Sequence, residues 1–322
     1  MPENNILLFT PLIVSSRPLL MEAAKHKMPL SVLSFRNTLR KKLRLYSLLS
    51  VVCCLSSITS QAQIHEIGIW GGITNYFGDL NTKSSFKFVR PGGGVFYRYN
   101  IKYRGAWRTS LSYGIAEFKD QANSDAWNQQ RNLSFKTGIF DLTTLIEFNF
   151  FKYDKADSKG KHWWTPYIGT GLTLFFFNPQ AEYKGKWYYL QPLGTEGQND
   201  PSYSGVKKYR LYSFAIPIVG GFKFSFKRNW NIAIEAGVRK TFTDYLDDVS
   251  GNYPSYASLP GGSTGLAAAL SDRSGANGGE KIGTPGYQRG QSPKKDDYLF
   301  GGITLSYTIM KEQCPSPNGT YR

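Results

Sequence analysis

Apolar and polar residues alternate with a period of two along much of the chain, the signature of strands whose two faces meet different surroundings. The plainest instance is LSFKTGIFDLTTLIEFNFF, residues 133–151. There Phe140, Leu142, Ile146, Phe148 and Phe150 share one face, and Asp141, Thr143, Glu147 and Asn149 share the other. Seven more segments repeat the pattern: 66–76, 90–100, 105–118, 163–177, 209–226, 229–242 and 297–309. In 105–118, Trp107, Leu111 and Tyr113 oppose Arg108, Ser110 and Ser112; in 209–226, Phe214, Ile218 and Phe222 oppose Ala215, Pro217 and Lys223. Pro217 has no amide hydrogen to give to a ladder, which predicts a bulge there. These runs exceed the usual strand of about five or six residues. They fit tilted spanning strands of about 9–11 residues that extend beyond a bilayer.

The connections alternate in length. Loops 77–89, 119–132, 178–208 and 243–296 are long or medium; turns 101–104, 152–162 and 227–228 are shorter. Short periplasmic turns alternating with longer extracellular loops belong to outer-membrane barrels, and an even strand number closes the barrel without the free edge that lipid forbids. The fold expected is all-β, an eight-stranded antiparallel transmembrane up-and-down β-barrel. A soluble barrel would alternate too, but with its charges outward. Here isolated charges sit on the minority face: Arg98, Arg108, Glu147, Lys223, Glu235 and Arg239. Eight strands enclose a lumen just wide enough for side chains to fill, so these groups are expected to pair inside it and block it. Trp70, Trp107, Trp163, Trp164, Tyr97, Tyr99, Tyr113, Tyr167 and Tyr307 are assigned to aromatic girdles at the two interfaces.

Charge and composition change the picture at the N-terminus. The 322 residues carry 39 Lys plus Arg against 23 Asp plus Glu, a formal charge of +16, with 15% aromatics. Such a balance invites a nucleic-acid partner. However, eight basic and two acidic residues lie within residues 1–62. The basic stretch from Arg36 to Arg44 precedes LYSLLSVVCCLSSI and then Ser60-Gln61-Ala62, the three parts of a secretory signal. Cleavage is expected between Ala62 and Gln63, with Met28 a plausible initiator. The domains expected are therefore a removed extension and signal (1–62), a barrel (63–309) and a periplasmic tail (310–322). Export removes nucleic acid from the expected partners and leaves outer-membrane lipid. It also leaves one cysteine, Cys314, a free thiol or an intermolecular bridge.

No catalytic constellation emerges. Lipid hydrolysis needs a nucleophile, a base and an orienting group, and after signal removal the histidines are His65 and His162, both at the periplasmic rim. The cluster Asp244, Asp247 and Asp248 lacks EF-hand spacing and is read as a solvated loop packing on Arg273 or Lys281. Gly261, Gly262, Gly275, Gly278 and Gly279 are read as flexible loop, and Gly92, Gly93 and Gly94 as a bend near the rim. No cofactor, metal, small-molecule substrate or enzymatic activity is expected.

Several stretches carry a resemblance. KGKWYYLQPLGTEGQ (184–198), FTDYLDDVSGNYP (242–254), AAALSDRSG (267–275), TPYIGTGL (165–172) and HEIGIWGGITNYFGDL (65–80) are similar to the PorG-like family. These are Bacteroidetes outer-membrane barrels of the type IX secretion system and, in gliding species, of motility. The resemblance covers almost the whole exported chain. It implies a non-enzymatic barrel that anchors a periplasmic ring, made of a lipoprotein and its partner subunit, to the outer membrane. Lys102, Arg104, Lys152, Lys155, Lys159, Lys161, Lys227 and Arg228 fall on the turns, and Cys314 on the tail. They are expected to form a basic underside that docks acidic periplasmic partners. The alternative is a general surface barrel whose long loops adhere or shield.

Overall fold

The structure is a computed structural model that describes residues 64–309 apart from 102, 154–161, 199–206, 228, 279 and 291–293. The expected signal, its cleavage site at Ala62 and Gln63, and the tail with Cys314 lie outside the described residues, as do Lys102, Lys155, Lys159, Lys161 and Arg228.

Eight long strands form the wall: β1 (Ile64–Phe77), β2 (Arg90–Asn100), β3 (Gly105–Lys119), β4 (Ser134–Asn149), β5 (Trp164–Phe177), β8 (Tyr212–Lys227), β9 (Trp230–Thr241) and β10 (Asp297–Ile309). Each pairs antiparallel with its neighbours in chain order around the ring. The ring closes where β1 meets β10, from His65 opposite Ile309 to Phe77 opposite Asp297. Closure needs a close approach at Gly72, which faces Gly302; a Cβ on Gly72 would strike the Gly301 carbonyl and the Gly302 Cα. The fold is the closed eight-stranded barrel that the alternation predicts.

Hydrogen bonding accounts for the wall, and side-chain polarity for its two surfaces. Ile146 is 67% exposed, whereas Glu147, the next residue, is fully buried. The same inversion runs around the ring: Ile69, Val95, Leu111, Ile168, Ile218, Ile234 and Ile303 point outward, exposed. Arg98, Arg108, Asp141 and Lys223 point inward, buried. Burying apolar area is worth roughly 25 cal/mol per Å², so water around this belt would oppose the fold. Hydrocarbon around it removes that penalty, and the closed ring presents no free strand edge to it. The barrel is therefore read as spanning a membrane.

Two local irregularities have separate causes. The β5–β8 ladder breaks between Thr170 opposite Ile218 and Thr173 opposite Ala215, then resumes in the same register. Pro217 falls in this gap, lacking the donor, but it inserts no extra residue. The bulge expected there is absent, and the register shift lies instead between Ser225 and Lys227, where β8 turns into β9.

The long connections gather at one end. Between β5 and β8, the segment read from sequence as plain loop contains a hairpin, β6 (Gln180–Tyr183) and β7 (Lys186–Tyr189), attached to β4 through Lys136 opposite Gln180. Its two-residue turn, Lys184 and Gly185, has positive φ at both positions, the geometry that matches strand twist. Short helices α1 (Ala126–Arg131) and α2 (Leu266–Ser271) complete the cap. Asp125 caps α1, its carboxylate accepting from the amides of Trp127 and Asn128 at 2.8 and 3.3 Å. Gly261, Gly262 and Gly278 are turn residues at positive φ between these short elements.

Placing a charge on the outward face tests the membrane assignment. Ile218→Arg is expected to cost about 2–4 kcal/mol of folding free energy near the bilayer midplane, measured by denaturant titration in lipid vesicles. A cost below about 0.5 kcal/mol would place Ile218 in water.

Candidate functional site

Because the strands alternate, every second residue enters the lumen, and the inward charges converge. Glu147 is the centre of that convergence. Its carboxylate lies 2.8 Å from Arg98, 3.1 Å from Arg108 and 2.5 Å from Lys223. Arg98 also reaches Glu66 at 2.7 Å, and Arg108 reaches Glu235 at 2.6 Å. Three cations thus face three carboxylates. Neutral groups complete the bonding: Ser306 donates to Glu66, Tyr167 to Glu235, and Lys223 to Asn149 at 3.0 Å. Rings fill the remaining space, with the Arg98 guanidinium 4.8 Å from the Phe96 centroid and the Lys223 ammonium 4.1 Å from that of Tyr167.

Farther toward the loops, Arg239 approaches Asp141 at 3.4 Å, and Tyr298 donates to the same carboxylate at 2.8 Å. Trp70 and Phe300 pack there with centroids 5.2 Å apart, and the Trp70 indole donates to Ser112 at 3.0 Å. Gly94, on the facing strand, makes room for that indole; a Cβ on it would clash with Leu111 and Trp70. Gly92 and Gly94 thus make room for Thr74 and Trp70 inside the barrel. What space remains beside Trp70, Arg108 and Arg239 is about 10 Å³, room for about one water molecule. At the turn end, Tyr153 closes the lumen by donating to Asn231 at 2.8 Å. The lumen is filled, not open.

The structure brings all six sequence-selected lumen charges inward, five of them into one cluster with Arg239 a layer above. Sequence reasoning left Glu66 and Asp141 out of the lumen network, although it set Asp141 on the same face as Glu147, and placed Trp70 and Tyr167 in the outer girdles. All four are buried in the lumen. The signal was present: Trp70 shares the parity of Glu66, and Tyr167 that of Thr165 and Gly169. Trp107, Trp163, Tyr97, Tyr113 and Tyr307 do face outward.

The cap carries a second buried polar network. Arg131 grips Asp120 with two bonds, 2.7 and 2.8 Å, and gives a third to the Arg289 carbonyl at 2.7 Å. Arg289 in turn donates to Glu196 at 2.9 Å and to the carbonyls of Asp248 and Ser271. Asp248 accepts from Thr195 and from Tyr209 at 2.6 Å. The acidic cluster is therefore not a solvated loop on Arg273 or Lys281: Asp247 and Asp248 are fully buried, and Asp244 accepts from Ser250 at 2.7 Å. Beneath this network Leu80, Phe118, Phe135, Phe175, Phe177, Leu246 and Val249 form an apolar layer across the mouth.

The motifs of 184–198, 242–254 and 267–275 meet one another here, since Glu196 accepts from the amides of Ser250 and Gly251 while Arg289 ties Glu196 to Ser271. Burial is the main cause that raises Asp248, to about 6, partly opposed by Arg289. Burial, followed by repulsion from nearby carboxylates (Asp296 and Asp79 acting on Asp247, Asp79 and Asp244 on Asp296), pushes both well above the usual carboxylate range. The Tyr76 hydroxyl lies 2.5 Å from Asp247 and 2.8 Å from Asp296. One phenol carries one proton, so the two carboxyls either share it or one of them, favoured toward its neutral form by its raised pKa, supplies the second.

At the opposite end, Arg104 and Lys152 are exposed, and Lys152 lies over the Tyr103 ring at 4.6 Å. Lys227 ends β8. His65 pairs with the Tyr97 hydroxyl at 2.6 Å. Among the described residues no group of three His, Cys, Asp or Glu is arranged to hold a metal.

Apolar outside, charged and filled inside, and closed on itself, the molecule is an eight-stranded barrel of the outer-membrane class. Within that class the chain belongs to the family described as Domain of unknown function (DUF6089), whose model matches residues 44–265. Among solved structures it is similar to Ail, the attachment invasion locus protein of Yersinia pestis, in complex with the heparin analogue sucrose octasulfate. That likeness has 10% identity and a TM-score of 0.37, over 77% of this chain and 100% of that one. Neisserial surface protein A matches at 8% identity, 77% and 96% coverage and TM-score 0.32. The outer-membrane protein OprG from Pseudomonas aeruginosa matches at 8%, 77% and 96%, and 0.30. No curated protein matches the chain.

Two measurements probe these networks. Removing one partner of a buried ion cluster strands the others, typically at about 3–5 kcal/mol; Glu147→Gln is expected to lose that much in urea unfolding, and adding Lys223→Met to recover more than half. Full stability in Glu147→Gln would show the cluster to be solvated. In the cap, carboxyls raised above their unfolded values bind more protons folded than unfolded, so stability rises as pH falls through that window. The Tm in detergent is expected to climb from pH 7.5 to pH 5, and a fall would contradict the buried, protonated carboxyls.

Proposed function

We propose that the protein is a non-enzymatic outer-membrane component of the type IX secretion machinery, where it anchors a periplasmic ring of a lipoprotein and its partner subunit to the membrane. In gliding cells the same anchor would serve motility. The observation that carries this reading is the filled lumen. With Glu147 and its partners occupying the interior and the loops packed over the mouth, the useful surfaces are the two ends. In the proposed orientation a signal cleaved between Ala62 and Gln63 exports the chain. The turns then face the periplasm, and Arg104, Lys152 and Lys227 join Lys102, Lys155, Lys159, Lys161 and Arg228 in a basic underside. Such a surface favours acidic partners through on-rate and register more than through affinity. Three of the motifs similar to the PorG-like family, 184–198, 242–254 and 267–275, support the reading because they meet in the cap. In this reading Cys314 is counted among the docking residues.

A second reading rests on the cap itself. Its buried Arg131 and Arg289 networks give the loop end a defined surface, which suits a general surface barrel that adheres or shields.

Deletion followed by an assay of bulk protein secretion separates the two. Loss of export is expected; intact export would leave the surface-barrel reading. In a strain that secretes normally, replacing Lys155, Lys159 and Lys161 together with Glu is expected to cut co-purification of the ring while the barrel still assembles. Unchanged recovery would contradict docking through the underside.

A further inference from the structure

The loop end holds a recess that neither network uses. It lies between the ends of β3 and β4, the β6–β7 hairpin and the segment after α2, with a volume of about 200 Å³. Pockets for drug-sized ligands run to about 300–1,000 Å³, so this one suits a single sugar ring with its substituent. Three cations line it, Lys119, Lys184 and Arg273, against one carboxylate, Glu182. Arg273 is half-buried and donates to Ser134 Oγ at 2.7 Å. Among the described residues no carboxylate stands within ion-pair distance of it. Burial holds its pKa below the usual guanidinium value despite the attraction of Glu182, so an arriving anion would relieve a cation already drawn out of water. The rest of the lining matches a sugar. Trp187, 45% exposed, offers a flat apolar wall. Gln121, also in the lining, donates its amide to Asn132 at 3.0 Å, and its carbonyl oxygen is an acceptor of the kind a hydroxyl needs.

We propose that this recess binds a phosphate- or sulfate-bearing sugar, the anion held by Arg273, Lys119 and Lys184 and the ring lying against Trp187. Charge-assisted bonds supply the strength, with the fork of Arg273 suited to two oxygens of one anion. The proposal concerns a bound ligand, not a reactant, and it holds whether or not the turn end docks a secretion ring.

Calorimetry on the exported full chain in detergent micelles tests it, with glucose 6-phosphate, glucose 6-sulfate, glucose and inorganic phosphate as probes. Both anionic sugars are expected to bind at least about tenfold more tightly than glucose or phosphate alone, each tenfold being about 1.4 kcal/mol. Arg273→Gln with Lys184→Glu is expected to weaken them by at least about tenfold, and Trp187→Ala to narrow the gap between sugar phosphate and phosphate. Heat-modifiable migration on gels verifies that each variant is folded. Absence of binding by folded wild type, equal binding by the double variant, or phosphate binding as tightly as the sugar phosphate would each overturn the proposal.

Discussion

The pairing of Glu147 with Arg98, Arg108 and Lys223 is the contact on which the interior depends. An eight-stranded wall in lipid has no room for a water-filled channel and no tolerance for unpaired charge. Each inward ion must therefore meet its opposite within the lumen. Three cations against three carboxylates satisfy that condition, and neutral groups complete the geometry, Ser306 and Tyr167 as donors and Asn149 as the acceptor for Lys223. Such a cluster is weak evidence of stability, since an apolar filling of similar shape can do as well or better. It does set the relative positions of β1, β2, β3, β4, β8 and β9, because each contributes one member.

The cap obeys the same rule with different materials. Its backbone turns too often for a ladder to absorb every polar group, and buried guanidinium groups take over. Arg131 and Arg289 together collect carbonyls from Asp79, Asp248, Ser271 and Arg289 itself. Four carboxylates at the mouth, Asp79, Asp247, Asp248 and Asp296, are buried there, and burial raises the pKa of Asp247, Asp248 and Asp296, which favours their neutral forms. Between the two polar networks lies the apolar layer of Phe135, Phe175, Phe177 and Leu246, so the molecule is sealed at the mouth and balanced below it.

Most of the wall was legible in the sequence because period-two alternation specifies both strand and face. The 133–151 run announced β4, and its polar parity announced Glu147 as inward. Where aromatic identity overrode parity the reading failed: Trp70 and Tyr167 look like girdle residues by type, yet sit in the lumen by position. Pro217 predicted a bulge because a missing donor and an extra residue leave the same mark on a sequence. The cap was not legible. The partners Arg131 and Asp120, and Arg289 and Glu196, follow no short period, and the acidic cluster reads as solvated until its burial is known. The short hairpin at Gln180–Tyr189 was hidden because its strands are only four residues each.

The central claim is that this barrel is inverted, with hydrocarbon outside and paired charge within. Leu142 and Leu145 test it most directly, being chemically identical, three residues apart on β4, and pointed in opposite directions. In methyl-labelled protein reconstituted with protonated lipid, magnetisation transfer from acyl-chain protons should reach the Leu142 and Ile146 methyls and miss those of Leu145 and Ile139. Equal transfer to Leu142 and Leu145, or transfer to neither, would contradict the account.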